Sequence, residues 1–157
     1  METNMKKLFI TFMFVFLSSQ ASAWVSKEFI PSNVDTINVK IIDDAKEGCW
    51  TNISEVKRYA EDKLELAGHN VYRNKKDSFT GYRDYKLVIQ IIANRTALIE
   101  CYGAYRIMLY KINETKDITG IFTAGEKIMT FKGAKNVNQH ILGFVSDFME
   151  EVEDPQW

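Results

Sequence analysis

The residues from 99 to 111 alternate between two kinds of side chain, and this pattern limits the fold more than any other part of the chain. One set has the composition of a protein core: Ile99, Cys101, Gly103, Tyr105, Ile107 and Leu109. The other set is mixed: Glu100, Tyr102, Ala104, Arg106, Met108 and Tyr110. A period of two is that of a β-strand with one face on a core, so the chain must build a sheet around this segment.

The first 23 residues predict an export signal. Two lysines precede an uninterrupted apolar run at residues 8–17, and small residues lead to a cleavage position after Ala23. The run is shorter than the roughly 20 apolar residues that a membrane helix needs, although an uncleaved N-terminal anchor is the alternative. Cleavage would leave residues 24–157 as one domain without a membrane span, in the periplasm or outside the cell.

The two cysteines, Cys49 and Cys101, are the second constraint. An exported chain meets an oxidising compartment, where paired cysteines form disulfides. Cys101 belongs to the apolar set of the long strand and Cys49 lies just before the first predicted helix, so a disulfide would hold the helix start against the sheet. The bond would close a loop of about 50 residues, worth up to roughly 4 kcal/mol in the chain-entropy model. The alternative is a thiol enzyme in which Cys49 is the nucleophile and a histidine its base.

The remaining segments predict a strand–helix–strand unit, then a three-stranded antiparallel meander and a C-terminal helix. The strands are expected at residues 37–42, 70–73, 85–93, 99–111 and 118–131. Asn52 and Glu55 predict a capping box at the start of the first helix, and Gly68 ends that helix. The second helix follows Asn136 and has one apolar face: Val137, Ile141, Phe144, Val145, Phe148 and Val152. The predicted fold is an α+β two-layer sandwich with both helices on one face of the sheet.

The sequence has no spacing typical of a metal site, a phosphate-binding loop or a hydrolase nucleophile. The glycines of AGEKIMTFKG, in a strand context, predict a bulge or bend instead. His69 and His140 occupy positions typical of helix ends and helix surfaces. Asp43 and Asp44 end a strand and could bind a cation, but a solvated turn explains them better. We therefore predict no cofactor, no metal and no enzymatic activity, and the net charge of −1 gives no indication of nucleic-acid binding.

The mixed set of the long strand is the predicted partner-binding surface. It consists of Tyr102, Arg106, Met108 and Tyr110, with additions from Ile118, Phe122 and Ile128 on the next strand. With both helices on the opposite face this row is half exposed, and Tyr, Arg and Met are enriched in protein interfaces. Two alternatives remain open. The row is a face of aromatic cross-strand pairs that tolerates water, or it is covered by the N-terminal residues Trp24, Phe29 and Ile30.

Together these observations predict an exported, disulfide-stabilised binding protein that contacts another envelope or exported protein. The short lysine-led signal is typical of bacteria. An accessory factor of an envelope assembly fits this description, as does an inhibitor or immunity protein against an exported toxin or hydrolase. The predicted order of elements resembles, at the level of fold alone, that of small accessory domains in bacterial envelope and secretion assemblies.

Overall fold

The computed structural model describes residues 24–73, 84–97, 99–114 and 119–154. The predicted export signal at residues 1–23 and Ile118 lie outside these ranges, so they remain predictions. The described residues form five strands and two α-helices: β1 (Trp24–Val25), β2 (Thr36–Ala45), α1 (Ile53–Leu66), β3 (Asp84–Arg95), β4 (Cys101–Glu114), β5 (Thr119–Ala134) and α2 (Asn138–Glu153).

The strands form a single mixed sheet in the order β1-β5-β4-β3-β2. Strands β2 and β3 are parallel, and the other neighbours are antiparallel. The α+β class is therefore confirmed, but the element order differs in part from the prediction. Helix α1 connects β2 to β3, so β3 is both the second strand of the crossover and the first of three successive antiparallel strands. The sheet is not a strand–helix–strand unit followed by a separate meander.

The strand predicted at residues 70–73 is wrong. Within it, Val71 alone forms a bridge, to Ile37 of β2. Two residues further on, the Arg73 guanidinium contacts α1, at 2.8 Å from Glu65 and 2.9 Å from Asp62. The two-residue strand β1 was not predicted, since two residues are too short to show an alternation.

The core lies between one face of the sheet and both helices, as predicted. In the register of β3 and β4, Leu87, Ile89 and Ile91 stand opposite Leu109, Ile107 and Tyr105, and all six are buried. The helices add Val56, Ala60 and Leu64 from α1 and the six predicted apolar residues around and within α2. The period-two and period-3.6 patterns therefore assign the buried faces of β4, α1 and α2 correctly.

The start of α1 differs in detail from the predicted capping box. The side-chain amide of Asn52 donates to Glu55 Oε2 at 3.1 Å, but its oxygen does not cap the helix backbone. That oxygen accepts a hydrogen bond from Trp50 Nε1 at 2.9 Å instead. At the start of α2, the predicted Asn136 accepts the backbone N–H of Asn138 at 3.2 Å.

The end of α1 forms a Schellman motif at Gly68, which has a φ of 88° as predicted for this position. The N–H of Gly68 donates to the carbonyl of Glu65 and that of His69 to the carbonyl of Leu64, both at 3.0 Å. The motif turns the His69 side chain inward, where its ring stacks on Phe29 at 4.5 Å between centroids. Its Nδ1 is buried and has no hydrogen-bond partner among the residues that the structure describes.

Gly125 and Gly133 of β5 lie at or beside two bulges, as their strand context predicts. Pairing with β4 passes from Leu109–Gly125 to Tyr110–Thr123, and from Cys101–Ala134 to Tyr102–Lys132. The residues left over on β5 are Ala124 and Gly133, and Gly133 has a φ of 85°. Because of the bulge at Ala124, the alternation of side chains between the two sides of the sheet differs before and after this residue.

Candidate interaction surface

The side of the sheet opposite the helices is called the open face here. It is formed by alternate residues of the three central strands: Lys86, Val88, Gln90, Ile92 and Asn94 of β3, Tyr102, Ala104, Arg106, Met108 and Tyr110 of β4, and Glu126, Ile128, Thr130 and Lys132 of β5. Both described helices pack on the other side. The predicted row on β4 therefore belongs to a larger surface.

An apolar patch occupies the end of the open face nearest the β3–β4 turn. We define the open-face patch as Ile92, Tyr102, Ala104 and Ile128. Ile92 pairs directly with Ala104, whereas Tyr102 and Ile128 lie diagonally beside that pair on β4 and β5. The large side chains of Ile92, Tyr102 and Ile128 are 51%, 43% and 51% exposed. Three strands thus present large apolar groups to solvent around one small residue.

Arg106 borders the patch and is already paired. Its Nε donates to Glu126 Oε1 at 2.6 Å, and its Nη2 lies 3.4 Å from the sulfur of Met108. This pair partly neutralises the charge in the centre of the open face. Met108 and Tyr110 are half-buried among such neighbours, so Tyr102 and Arg106 are the most exposed members of the predicted row.

Of the three N-terminal residues that could cover the row, Phe29 lies elsewhere. Phe29 is buried on the helix side, between His69 and Tyr85, and Ile30 is 40% exposed. Trp24 is half-buried and pairs with Glu126, next to the row but at the edge of the sheet. The covering alternative is therefore wrong for Phe29, whose ring fills the space beside the end of α1.

The surface differs from the prediction at two residues, Phe122 and Ile92. Ile128 lies on the open face as expected, but Phe122 lies on the helix side because the bulge at Ala124 reverses the alternation between them. There the rings of Phe122 and Tyr85 flank the ammonium of Lys111, at 5.1 and 5.5 Å. Ile92 was missed because β3 is apolar at nearly every position, and its period-two signal is hidden by its neighbours.

The predicted disulfide joins Cys49 to Cys101, with 5.8 Å between their Cα atoms. Both cysteines are fully buried. The bond also organises the start of α2, because the carbonyl of Cys49 accepts the N–H of Val137 at 2.9 Å. Beside it, the side chain of Asn138 accepts the Thr51 N–H at 3.0 Å and donates to the Thr51 hydroxyl at 2.7 Å.

The proposed thiol nucleophile is not formed in this structure, since the sulfur of Cys49 is bonded to that of Cys101. His69, one of its two candidate bases, lies at the other end of α1. The 14 residues of that helix correspond to a length of about 20 Å. Burial lowers the pKa of His69 to about 4, so its ring is neutral and packed rather than poised beside a substrate. His140 is exposed on α2.

The described residues show no group of three or more potential metal ligands. Asp43 accepts the backbone N–H of Ala45 at 3.0 Å, and Asp44 accepts the side-chain amide of Gln90 at 3.0 Å. These contacts are those of an ordinary strand end. Neither described helix is long and apolar enough to cross a membrane.

No protein-family model matches the sequence, and no curated protein sequence is similar to it. Among solved structures, the fold is similar to the PelC dodecamer from Paraburkholderia phytofirmans, with a TM-score of 0.51 and 10% identity over 86% of this chain and 97% of that chain. Lipoprotein GNA1162 from Neisseria meningitidis has a TM-score of 0.39 and 14% identity over 74% and 96% of the two chains. A minor lipoprotein from Acinetobacter baumannii has a TM-score of 0.30 and 10% identity over 76% and 92%. The similarity to PelC is one of fold, and the two lipoproteins are too different to add to it.

Proposed function

We propose that this chain is an exported binding module of the bacterial envelope that acts through protein contact and not through catalysis. The observation that carries the proposal is the open-face patch, in which Ile92, Tyr102 and Ile128 are each 43–51% exposed on adjacent strands. Contiguous exposed apolar groups with a polar rim are typical of interaction sites. Arg106 and Glu126 form part of that rim.

Two further observations support this role. The Cys49–Cys101 disulfide is typical of a protein that works in an oxidising compartment, which agrees with the predicted export signal. One solved structure with a similar fold, that of PelC, is a dodecamer. This favours an accessory subunit of an envelope assembly in which several copies of the chain act together.

Site-specific photo-crosslinking tests the proposal in cells that produce the protein. A photoreactive phenylalanine analogue replaces Tyr102 in one strain and Leu66 in another. Leu66 is the matched control, because it is 80% exposed on the surface of α1, away from the open face. We expect irradiation to give one discrete heavier adduct from position 102 and none from position 66, with a different protein identified in the adduct by mass spectrometry.

Two results would contradict the proposal. One is the absence of any adduct from position 102 in protein that is correctly exported and folded. The other is an adduct that contains two copies of this chain and nothing else, since the patch would then serve self-association.

A double variant gives an independent test. Ile92→Ser with Tyr102→Ser should retain the melting temperature of the wild type within a few degrees, because both side chains are about half exposed and lie outside the core. It should lose the partner in co-purification, whereas Leu66→Ser should keep it. These positions are better than Arg106, since Arg106→Glu would place a second carboxylate beside Glu126 and disturb the sheet itself.

A further inference from the structure

The turn between β3 and β4 holds an apolar residue in a strained conformation. Ile99 has a φ of 68° and is 68% exposed. A left-handed backbone is unfavourable for residues with a Cβ, and especially for a β-branched one, so glycine or asparagine is the usual residue at such a position. Because most of the Ile99 side chain lies in solvent, burial within the fold does not compensate this strain. Strained residues of this kind are concentrated at binding sites.

Hydrogen bonds fix the conformation of this turn. The N–H of Thr96 donates to the Glu100 carbonyl at 2.8 Å, and the N–H of Ile99 donates to the Thr96 carbonyl at 3.0 Å. The guanidinium of Arg95 binds the Ile99 carbonyl through Nη1 at 2.9 Å and the Glu47 carbonyl through Nε at 3.0 Å. Arg95 therefore ties the strained residue to the neighbouring turn that precedes α1.

The disulfide connects the same two turns covalently. Cys101 follows Ile99 by two residues and is bonded to Cys49, which follows Glu47 by two residues. The backbone that carries the exposed Ile99 side chain is thus held both by the Arg95 guanidinium and by a covalent bond. A side chain presented on a fixed backbone loses little conformational entropy when a partner contacts it.

A small cavity beside the turn continues into the open-face patch. We call it the turn cavity; its volume is about 250 Å³, and it is lined by Thr96, Glu100, Cys101, Tyr102, Lys132 and Gly133. This volume is below the roughly 300–1,000 Å³ of small-molecule sites, so the cavity suits a single side chain of another protein. Tyr102 belongs to both the turn cavity and the open-face patch. One partner surface can therefore contact the patch, the turn cavity and Ile99 together.

The charges around the turn favour a protein over a lipid surface. The exposed charged residues there have both signs: Lys46, Glu47, Glu100, Lys132 and Lys135. Arg95 adds a half-buried positive charge that two carbonyl oxygens already bind. An anionic membrane would attract the lysines but repel both glutamates, and the Ile99 side chain alone buries too little surface for stable anchoring. A protein can place a complementary group opposite each charge.

We propose that Ile99 inserts into an apolar pocket of the partner protein, while a side chain of that partner fills the turn cavity. The inference rests on the proposed function, because it concerns the same partner. It adds the chemistry of recognition: the partner presents an apolar recess that accepts one branched aliphatic side chain. Rigidly presented side chains that fill pockets carry most of the binding energy of an interface.

Photo-crosslinking and binding measurements test this contact. The photoreactive phenylalanine analogue at position 99 should give an adduct with the same protein as position 102. With that protein purified, its dissociation constant for the purified, disulfide-bonded chain is then measured. Ile99→Gly and Ile99→Asn should raise it by tenfold to about a hundredfold, because each removes one buried aliphatic side chain. Ile99→Val, which lacks a single methylene group, should raise it only about fourfold.

Two control variants separate this contact from other effects. Glu47→Gly relieves a positive φ of 52° in the neighbouring turn, and Leu66→Ser removes an exposed apolar side chain from α1. Both should leave the dissociation constant unchanged. Ile99→Gly should bind less tightly while its melting temperature is equal to or above that of the wild type, a combination that a purely structural role of Ile99 would not produce.

Four results would overturn the inference. They are an adduct from position 102 with none from position 99, an adduct from position 99 that contains only copies of this chain, and an unchanged dissociation constant in both Ile99→Gly and Ile99→Asn. The fourth is binding of the wild type, but not of Ile99→Gly, to vesicles of phosphatidylethanolamine and phosphatidylglycerol. Failure of the proposed function is distinguishable, because position 102 then gives no adduct with another protein; the absence of an adduct from both positions overturns both proposals.

Discussion

Lowering the pH from 7 to 5 should destabilise this protein through His69. The ring is 5% exposed, it stacks on Phe29, and no described residue forms a hydrogen bond with its Nδ1. A proton added to this ring would bring a charge into an apolar site. Burial accordingly lowers the pKa of His69 from 6.5 to about 4 in the folded protein.

The sign of the effect follows from which state binds the proton. Between pH 6.5 and about 4 the unfolded chain is protonated at His69 and the folded protein is not, so the free energy of unfolding falls as the pH falls. The stabilising contribution of the neutral His69 ring is fully present above pH 6.5, the pKa in the unfolded chain. It decreases as the pH falls and stops decreasing below about pH 4, the pKa in the folded protein. From these two pKa values, the loss from pH 7 to pH 5 is about 2 kcal/mol, and the full loss at lower pH is about 3 kcal/mol.

Urea unfolding at pH 7, 6 and 5 measures this contribution in the wild type, His69→Phe and His140→Gln. The phenylalanine keeps a ring against Phe29 but cannot bind a proton, whereas His140 is an exposed control. The free energy of unfolding of the wild type should fall relative to His69→Phe by about 2 kcal/mol over this range. His140→Gln should follow the wild type at each pH.

Any other group that titrates between pH 7 and pH 5 affects all three proteins alike and cancels in the comparison. Parallel curves for the wild type and His69→Phe would refute the argument that an uncharged buried ring sets the acid sensitivity. If phenylalanine is too large for the site, His69→Leu provides the same comparison.

Three other substitutions probe the fold. The double variant Cys49→Ala, Cys101→Ala removes a disulfide with a sequence separation of 52. It should lower the free energy of unfolding by about 4 kcal/mol, measured in urea without reductant. Equal stabilities of the variant and the wild type would contradict this. Gly125→Ala would place a Cβ 2.8 Å from the carbonyl oxygen of Trp24 and 3.3 Å from Phe148, costing about 1–3 kcal/mol, whereas Gly120→Ala, with open space around it, should leave the melting temperature nearly unchanged. Ile99 has a φ of 68°, in the left-handed region, and is 68% exposed. Because glycine adopts this conformation without strain, Ile99→Gly should raise the stability measured in thermal unfolding by about 1 kcal/mol. A decrease would show that contacts of the Ile99 side chain stabilise the fold.

The parts of the fold that could be predicted from sequence are those in which one periodicity dominates. The alternation in β4 separated the buried from the exposed side chains, and it placed Cys101 on the side of the sheet that faces Cys49. The apolar stripes of both helices did the same for their buried faces. In each case the same spacing of buried apolar residues repeats over at least three turns or strand pairs, so one exception does not obscure the pattern.

The errors arise where a tertiary contact decides between local alternatives. The Asn52 oxygen binds Trp50 instead of the helix backbone, and the side chain of Arg73 pairs with Glu65 of α1 beside the single bridge at Val71. Phe122 lies on the helix side because of the bulge at Ala124. None of these contacts has a periodic signal.

The candidate surface was predicted in part for the same reason. Tyr102 and Arg106 lie in an alternating strand and were identified by it. Ile92 lies in β3, where buried and exposed positions carry the same kinds of residue, so sequence alone does not separate them. The ion pair of Arg106 with Glu126 depends on the register of two strands, which the sequence does not specify at this level.

The order of residues along the chain bears on how the disulfide would form under the proposed export. Both cysteines precede α2, since Cys101 comes before Asn138 in the chain. An exported chain would therefore deliver both cysteines to the oxidising compartment before its C-terminal helix, and oxidation would join Cys49 to the start of β4 first. The last helix would then pack where the Cys49 carbonyl and the Thr51 N–H bind its first residues.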